Sequence, residues 1–136
     1  MTDSPVILDT SVWVEYFRGG SPTLAVHIER LVAARRLKNL RIITAELLRG
    51  AFSPSDRRAI EETVAHIPVI ERDDCHWLVV GVLCRRLAKR GVTIPLVDGW
   101  IAQATMDARG QLWTLDGDFR AIAKCSPLAL YQPPDE

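Results

Sequence analysis

The chain opens with a short, uninterrupted apolar run, Val6, Ile7 and Leu8, that stops on Asp9. An apolar run of this length followed by an acid and two hydroxylated residues, Thr10 and Ser11, predicts a buried strand ending at a turn. Ser11 to Phe17 predicts a short helix stopped by Gly19-Gly20, and Ser21-Pro22 opens a longer one whose apolar positions Leu24, Ile28, Leu31 and Val32 recur with helical period. Asn39 lies in the break that follows. Leu40 to Ile43 reads as a second strand, with Thr44 as the N-cap of a helix carrying Glu46 in its first turn.

A Ser53-Pro54 break then starts a charged amphipathic helix, and "PVIE" at 68–71 reads as a third short strand or extended piece. A long helix is expected from Asp73 or Asp74 to a basic last turn before Gly91. "VTIPLVD" predicts an extended loop through Pro95, "GWIAQATMDARG" a helix ended by Gly110, "QLWTLD" a strand, "GDFRAIAKC" a short helix and "LALYQ" a last strand. Strands alternating with helices predict an α/β fold with a mainly parallel sheet of about four or five strands. With 136 residues and no linker or repeat, the chain is expected to be a single domain, 1–136, with a polar tail at 132–136.

In such sheets, ligands bind beyond the carboxyl ends of the strands. Four of the predicted strands or extended pieces deliver an acid there: Asp9, Glu46, Asp98 and Asp116, with Asp118 two residues further on. Each acid also has a purely structural reading. Asp9 and Asp98 suit helix N-caps, Glu46 suits the positive end of a helix dipole, and Asp116-Gly117 is a common turn pair. Together, however, carboxylates converging on one crevice would raise one another's pKa unless a cation neutralised them. An all-carboxylate donor set suits Mg²⁺ or Mn²⁺, ions that position water for attack on phosphorus.

Composition narrows the field. Lys plus Arg balance Asp plus Glu at 17 each, so the gross positive charge of a bulk nucleic-acid coating protein is missing. The three cysteines, Cys75, Cys84 and Cys125, suggest neither a disulfide framework nor a zinc cluster, and the three histidines have no helical ligand spacing. The N-terminus lacks a basic, apolar signal segment and no long apolar run suggests a membrane span, so a cytoplasmic protein is expected. Candidate phosphate contacts are Arg18 and Arg49; Arg49 lies three residues after Glu46 and suits an ion pair with it equally well. The basic clusters at 85–90 and 30–38 read as solvated helix ends.

Four pieces, "VILDTSVWVEYF", "ITAELLRGA", "IPLVDGWIAQAT" and "LWTLDGDFRAIA", occur in an order and at separations that resemble the PIN-domain ribonucleases, specifically the VapC toxins of toxin–antitoxin pairs. The resemblance implies a three-layer α/β/α sandwich and a Mg²⁺- or Mn²⁺-dependent endoribonuclease that cuts structured RNA such as transfer or ribosomal RNA. It implies Asp9 and Asp98 as the most direct metal ligands, with Glu46 and Asp116 acting through water or at a second site. Thr10 or Ser11, and Thr114, would hydrogen-bond the carboxylates or the scissile phosphate. Asp118 would be an outer acid or, as preferred here, the cap of the helix holding Phe119. It further implies a homodimer and a VapB-type antitoxin, assembling as a heterotetramer or larger and reaching operator DNA only through the antitoxin. Gly99-Trp100 departs from the larger aliphatic residues usual there, and Gly99 would let the backbone approach a neighbour closely. Two rival readings remain: a phosphotransferase using Asp9 as nucleophile, which lacks the customary acid at position 11 and a Gly-rich phosphate loop, and a non-catalytic PIN-fold module that binds RNA or protein.

Overall fold

Val6, Ile7 and Leu8 are all fully buried although successive residues of a strand face opposite sides of the sheet. Both faces must therefore be covered, as in a parallel sheet sandwiched between helices. The computed structural model, which describes residues 3–134, has this architecture. In chain order the elements are β1 (Val6–Leu8), α1 (Thr10–Arg18), α2 (Pro22–Ala33), β2 (Leu37–Lys38), α3 (Arg41–Arg49), α4 (Pro54–Val64), α5 (Cys75–Lys89), α6 (Leu96–Asp107), β3 (Gln111–Trp113), α7 (Asp118–Lys124) and β4 (Ala129–Leu130). The sheet order is β2-β1-β3-β4 and every pairing is parallel. From β1 the chain pairs outward to β2 on one side and to β3 on the other, so the direction of winding reverses between β1 and β3. That reversal opens a crevice beyond the carboxyl ends of these two strands. Of the polar tail expected at 132–136, residues 135 and 136 lie outside the described residues. Among the described residues, no helix is long and apolar enough to cross a membrane.

Several local signals act as the sequence suggests. The Ser21 and Ser53 hydroxyls cap α2 and α4 by accepting from Leu24 N and Asp56 N. Gly19 and Gly91 adopt the left-handed conformation after α1 and α5, with φ of 69° and 85°. The segment at 68–71 is an extended piece: Val69 forms one parallel bridge with Asn39.

The segment at 40–43 is a correction. It is not a strand: the second strand is Leu37–Lys38, and α3 already begins at Arg41. The buried positions Leu40, Ile43 and Leu47 recur with helical period and put one face of α3 into the core, overriding the β propensity of Ile42-Ile43. The N-cap position is Leu40, not Thr44, and Glu46 falls in the second turn rather than the first. Thr44 instead accepts a hydrogen bond from the Asn39 side-chain amide at 2.8 Å, which anchors α3 to the segment before it. α6 likewise starts earlier than expected, at Leu96, so Asp98 lies inside its first turn and is not its cap.

Two glycines permit close approach. A Cβ on Gly99 would lie 2.7 Å from Cys84 Sγ and 3.3 Å from Val80, so the bare backbone of α6 packs directly on α5. A Cβ on Gly110 would lie 2.8 Å from the Pro5 carbonyl oxygen, which itself accepts from Gln111 N where β3 joins β1. This neighbour is backbone and cannot rotate away. Gly110→Ala is expected to destabilise the fold by about 1–3 kcal/mol, read as a lower midpoint in urea unfolding.

Candidate active site

β1 ends by delivering Asp9 to the crevice. Its backbone N–H pairs with the Trp113 carbonyl at 2.9 Å, so the β1–β3 pairing continues to this residue. The Asp9 main chain occupies the N-cap position of α1, and its carbonyl accepts from Val12 N and Trp13 N. Its side chain makes no capping bond and is only 6% exposed. Oδ2 accepts from Ser11 Oγ at 2.9 Å and from Thr114 Oγ1 at 2.8 Å. The carboxylate is thus turned away from the helix terminus that a capping residue would serve.

The two hydroxyls have a second task. Ser11 Oγ accepts from Leu115 N at 3.0 Å, and Thr114 Oγ1 accepts from Asp116 N at 3.0 Å. Each hydroxyl spends its one proton on Asp9 and a lone pair on the loop after β3. That loop is therefore pinned to Asp9, and Asp116 is carried with it. Thr10, the neighbouring hydroxyl, turns elsewhere: Thr10 Oγ1 donates to Glu46 Oε1 at 2.7 Å. The sequence leaves Thr10 and Ser11 as alternatives for one role; in the fold they divide it, one on each acid.

Asp98 stands where these acids converge. Burial of its carboxyl, followed by the negative charges of Asp9, Asp116, Glu46 and Asp118, pushes its pKa up to about 6. Burial, and then the charge of Asp98, also pushes the Cys84 thiol up, so the field of the acids reaches α5. One carboxylate oxygen from each of Asp98, Asp116 and Asp118 lies within 4.8 Å of the others, a spacing that could accommodate one cation. The oxygen-only donor set, half-buried at Asp98 and open to solvent at Asp116 and Asp118, fits a hard divalent ion such as Mg²⁺ or Mn²⁺.

All four acids singled out in the sequence meet electrostatically at Asp98, with two amendments. Asp118 is not the cap of α7: it is the first residue of that helix, Gly117 holds the N-cap position, and Asp118 N donates to Asp116 Oδ1 at 2.9 Å. Its carboxylate is left to join the acidic group, a possibility signalled by the Asp-Gly-Asp spacing. Arg49 and Arg18 are exposed at the ends of α3 and α1, and among the described residues neither forms an ion pair, so of the two equal readings of Arg49 the ion pair with Glu46 is not made.

Sequence reasoning missed the support behind α6. Buried His76 of α5 contacts the Trp100 carbonyl through Nε2 at 3.1 Å, while Nδ1 accepts from Arg72 Nε at 3.1 Å. Because Nδ1 accepts, Nε2 carries the proton and donates. Arg72 also binds Asp107 at 2.7 Å, at the far end of α6. Nothing in the sequence spacing points to this network, which joins an extended segment to two helices.

The chain matches the sequence model of the PIN domain over residues 6–124. It is 30% identical over 127 residues to the VapC ribonuclease Mb1587 of Mycobacterium bovis and to ribonuclease VapC11 of Mycobacterium tuberculosis, alignments that cover 90% of this chain and 95% of each relative. Among solved structures, it resembles the VapBC2 complex of Rickettsia felis bound to a promoter DNA fragment, with a TM-score of 0.79, 19% identity and coverage of 93% of this chain and 96% of that one. The VapBC-1 structure from nontypeable Haemophilus influenzae gives a TM-score of 0.73 at 25% identity, again over 93% and 96%. With the acids of four chain segments gathered at one crevice and similarity along nearly the whole length, this chain belongs to the PIN-domain family, in its VapC branch.

Proposed function

We propose that the protein is a Mg²⁺- or Mn²⁺-dependent endoribonuclease that acts in the cytoplasm as the toxin of a toxin–antitoxin pair, cutting structured RNA of the transfer or ribosomal class. The observation that carries this reading is the approach of carboxylate oxygens of Asp98, Asp116 and Asp118 to within 4.8 Å of one another, with Asp9 and Glu46 adding negative charge at Asp98, an arrangement that suits a cation site. Asp9 and Asp98 would be the direct ligands, as the family resemblance implies, and Glu46 and Asp116 would act through water or at a second position; the spacing itself groups Asp98 with Asp116 and Asp118 and does not include Asp9. When bound, the ion lowers the pKa of a water and neutralises charge developing on the phosphate oxygens.

The chain's own residues set the geometry. Ser11 and Thr114 fix the orientation of Asp9, and Thr10 fixes that of Glu46, whose other oxygen is free to orient a nucleophilic water. Arg49 and Arg18, unpaired among the described residues, supply cations for the flanking phosphates. A VapB-type antitoxin would mask the acidic crevice and carry any operator-DNA contact. The exposed apolar stripe on α5, Leu78, Val79 and Val82 beside Trp77, is the surface for a second copy of the chain, giving heterotetramers or larger assemblies with antitoxin.

Three outcomes test this reading. Purified antitoxin-free protein is expected to cut total bacterial RNA into discrete fragments with Mn²⁺ or Mg²⁺ and not with chelator. Asp9→Asn and Asp98→Asn should each reduce the rate by about 100-fold or more; an Asp9→Asn chain that only binds RNA, beside a parent that also never cleaves, would favour the non-catalytic module.

The second outcome concerns pH. The folded-state pKa of Asp98, about 6, lies above its unfolded value of 3.8, so the folded chain binds more protons between these pH values. Metal-free protein should therefore become more stable as pH falls from 7.5 through 6 towards 4. Asp98 is partly exposed, and allowing for solvent screening leaves about 1 kcal/mol, or about 3–6 °C in Tm. Asp98→Asn should flatten this dependence and raise the metal-free Tm at pH 7.5. Stabilisation of the parent by Mn²⁺ should fade as pH drops below 6, because protons and the ion compete for the same carboxylate. Differential scanning fluorimetry reads all three effects.

The third outcome concerns assembly: Leu78→Asp should convert the antitoxin-free dimer to a monomer in light scattering.

A further inference from the structure

Thr10, Val14, Phe17 and Arg18 lie on one stripe of α1, spaced as i, i+4, i+7 and i+8. At one end of the stripe, Thr10 holds Glu46. Further along, Val14, Phe17 and Arg18 face Leu47 and Gly50 of α3 across a cavity of about 280 Å³, closed on its third side by Ala59 and Ile60 of α4. The cavity thus continues the seam between α1 and α3 that begins at a site acid. From Thr10 to Arg18 the distance along α1 is about 12 Å, within reach of a few nucleotides of an RNA strand positioned at the acids. Its volume is just below the usual range of ligand pockets, roughly 300–1,000 Å³, a scale that suits one planar ring system.

The rim carries the decisive chemistry. Phe52, in the turn between α3 and α4, is 97% exposed, the most exposed large apolar side chain among the described residues. A fully solvated Phe does nothing for the fold. Arg18 lines the same cavity, and Arg49 sits one residue before Gly50; both guanidinium groups are without ion-pair partners among the described residues. An aromatic face beside unpaired arginines is how unstacked bases and their phosphates are held. Asp56, also on the lining, offers an acceptor to a base amino group.

Resting on the ribonuclease reading, we propose that the cavity between α1, α3 and α4 is a nucleobase subsite: Phe52 stacks on an unpaired base of the RNA near the cleaved bond, and Arg18 and Arg49 neutralise the adjoining phosphates. The subsite favours substrates with a splayed-out base in a loop over fully paired helices. Its residues are specificity determinants and take no part in bond cleavage.

The test uses the full chain without antitoxin. Binding of fluorescein-labelled bulk transfer RNA is followed by anisotropy in chelator, so that affinity is read without turnover. Cleavage of the same RNA and of bis(p-nitrophenyl) phosphate, a phosphodiester too small to span acids and cavity, is followed with Mn²⁺. Phe52→Ala should weaken RNA binding about tenfold and raise KM on RNA by a similar factor, while turnover of the small diester is unchanged. Phe52→Trp should restore RNA affinity. Circular dichroism checks that both variants fold. RNA affinity and KM unaltered in Phe52→Ala would overturn the subsite while leaving the nuclease intact. A parent that neither binds nor cuts RNA would remove both this subsite and the function on which it rests.

Discussion

The Oδ2 atom of Asp9 accepts hydrogen bonds from Ser11 and Thr114, residues on either side of the β1–β3 pairing. Both hydroxyls in turn accept from backbone N–H groups of the following loop, at Leu115 and Asp116. A buried carboxylate is costly unless hydrogen-bonded, and here the bonds that satisfy it also fix the exit of β3. The placement of Asp116 and Asp118 depends on this joint. Asp116 is held by the Thr114 hydroxyl, and Asp118 is tied to Asp116. A single acid at the end of β1 thereby connects sheet topology to site geometry.

The joint concentrates negative charge that the fold alone does not neutralise. Asp98 takes the consequence, with its pKa pushed up to about 6 by burial and by its acidic neighbours. Keeping α6 in place against that repulsion requires lateral support, since its N-cap position, Pro95, has no side-chain hydrogen bond to offer. Support comes from α5: Val80 and Cys84 meet the bare backbone at Gly99, and His76 donates to the Trp100 carbonyl. The Gly99-Trp100 pair, unusual beside the family pattern, is explained by this contact. Gly99 removes the Cβ that would hold α5 away, and Trp100 packs edge-on against the His76 ring at 4.5 Å. Strain and repulsion at a site of this kind are tolerated when surrounding packing overdetermines the geometry.

The surfaces beyond the crevice divide by chemistry. The exposed stripe of α5 is apolar and suits a flat, self-complementary contact, whereas the cavity between α1, α3 and α4 joins apolar walls to an exposed aromatic ring and to the Arg18 guanidinium, which makes no ion pair among the described residues. The first suits a copy of the chain and the second a strand of nucleic acid.

The helix starts at Ser21-Pro22 and Ser53-Pro54 and the stops at Gly19 and Gly91 were legible because each depends on neighbours within a few residues. Asp9 was legible for the same reason, since a run of buried residues ending on a carboxylate is a local pattern, whereas Glu46 and Asp98 lie inside helices rather than at strand ends. The segment at 40–43 misled because Ile42-Ile43 is β-prone locally, while burial of Leu40, Ile43 and Leu47 against the core selects a helix. Which hydroxyl serves which acid was not legible either: Ser11 and Thr10 are adjacent, yet one turns to Asp9 and the other to Glu46. The sequence by itself determined the α/β alternation and the acid that ends β1, because backbone propensity and hydrophobic period are local. Only the tertiary structure decided which groups meet, because Asp9 and Thr114, 105 positions apart, become neighbours through the parallel order of β1 and β3 and not through anything in their own surroundings along the chain.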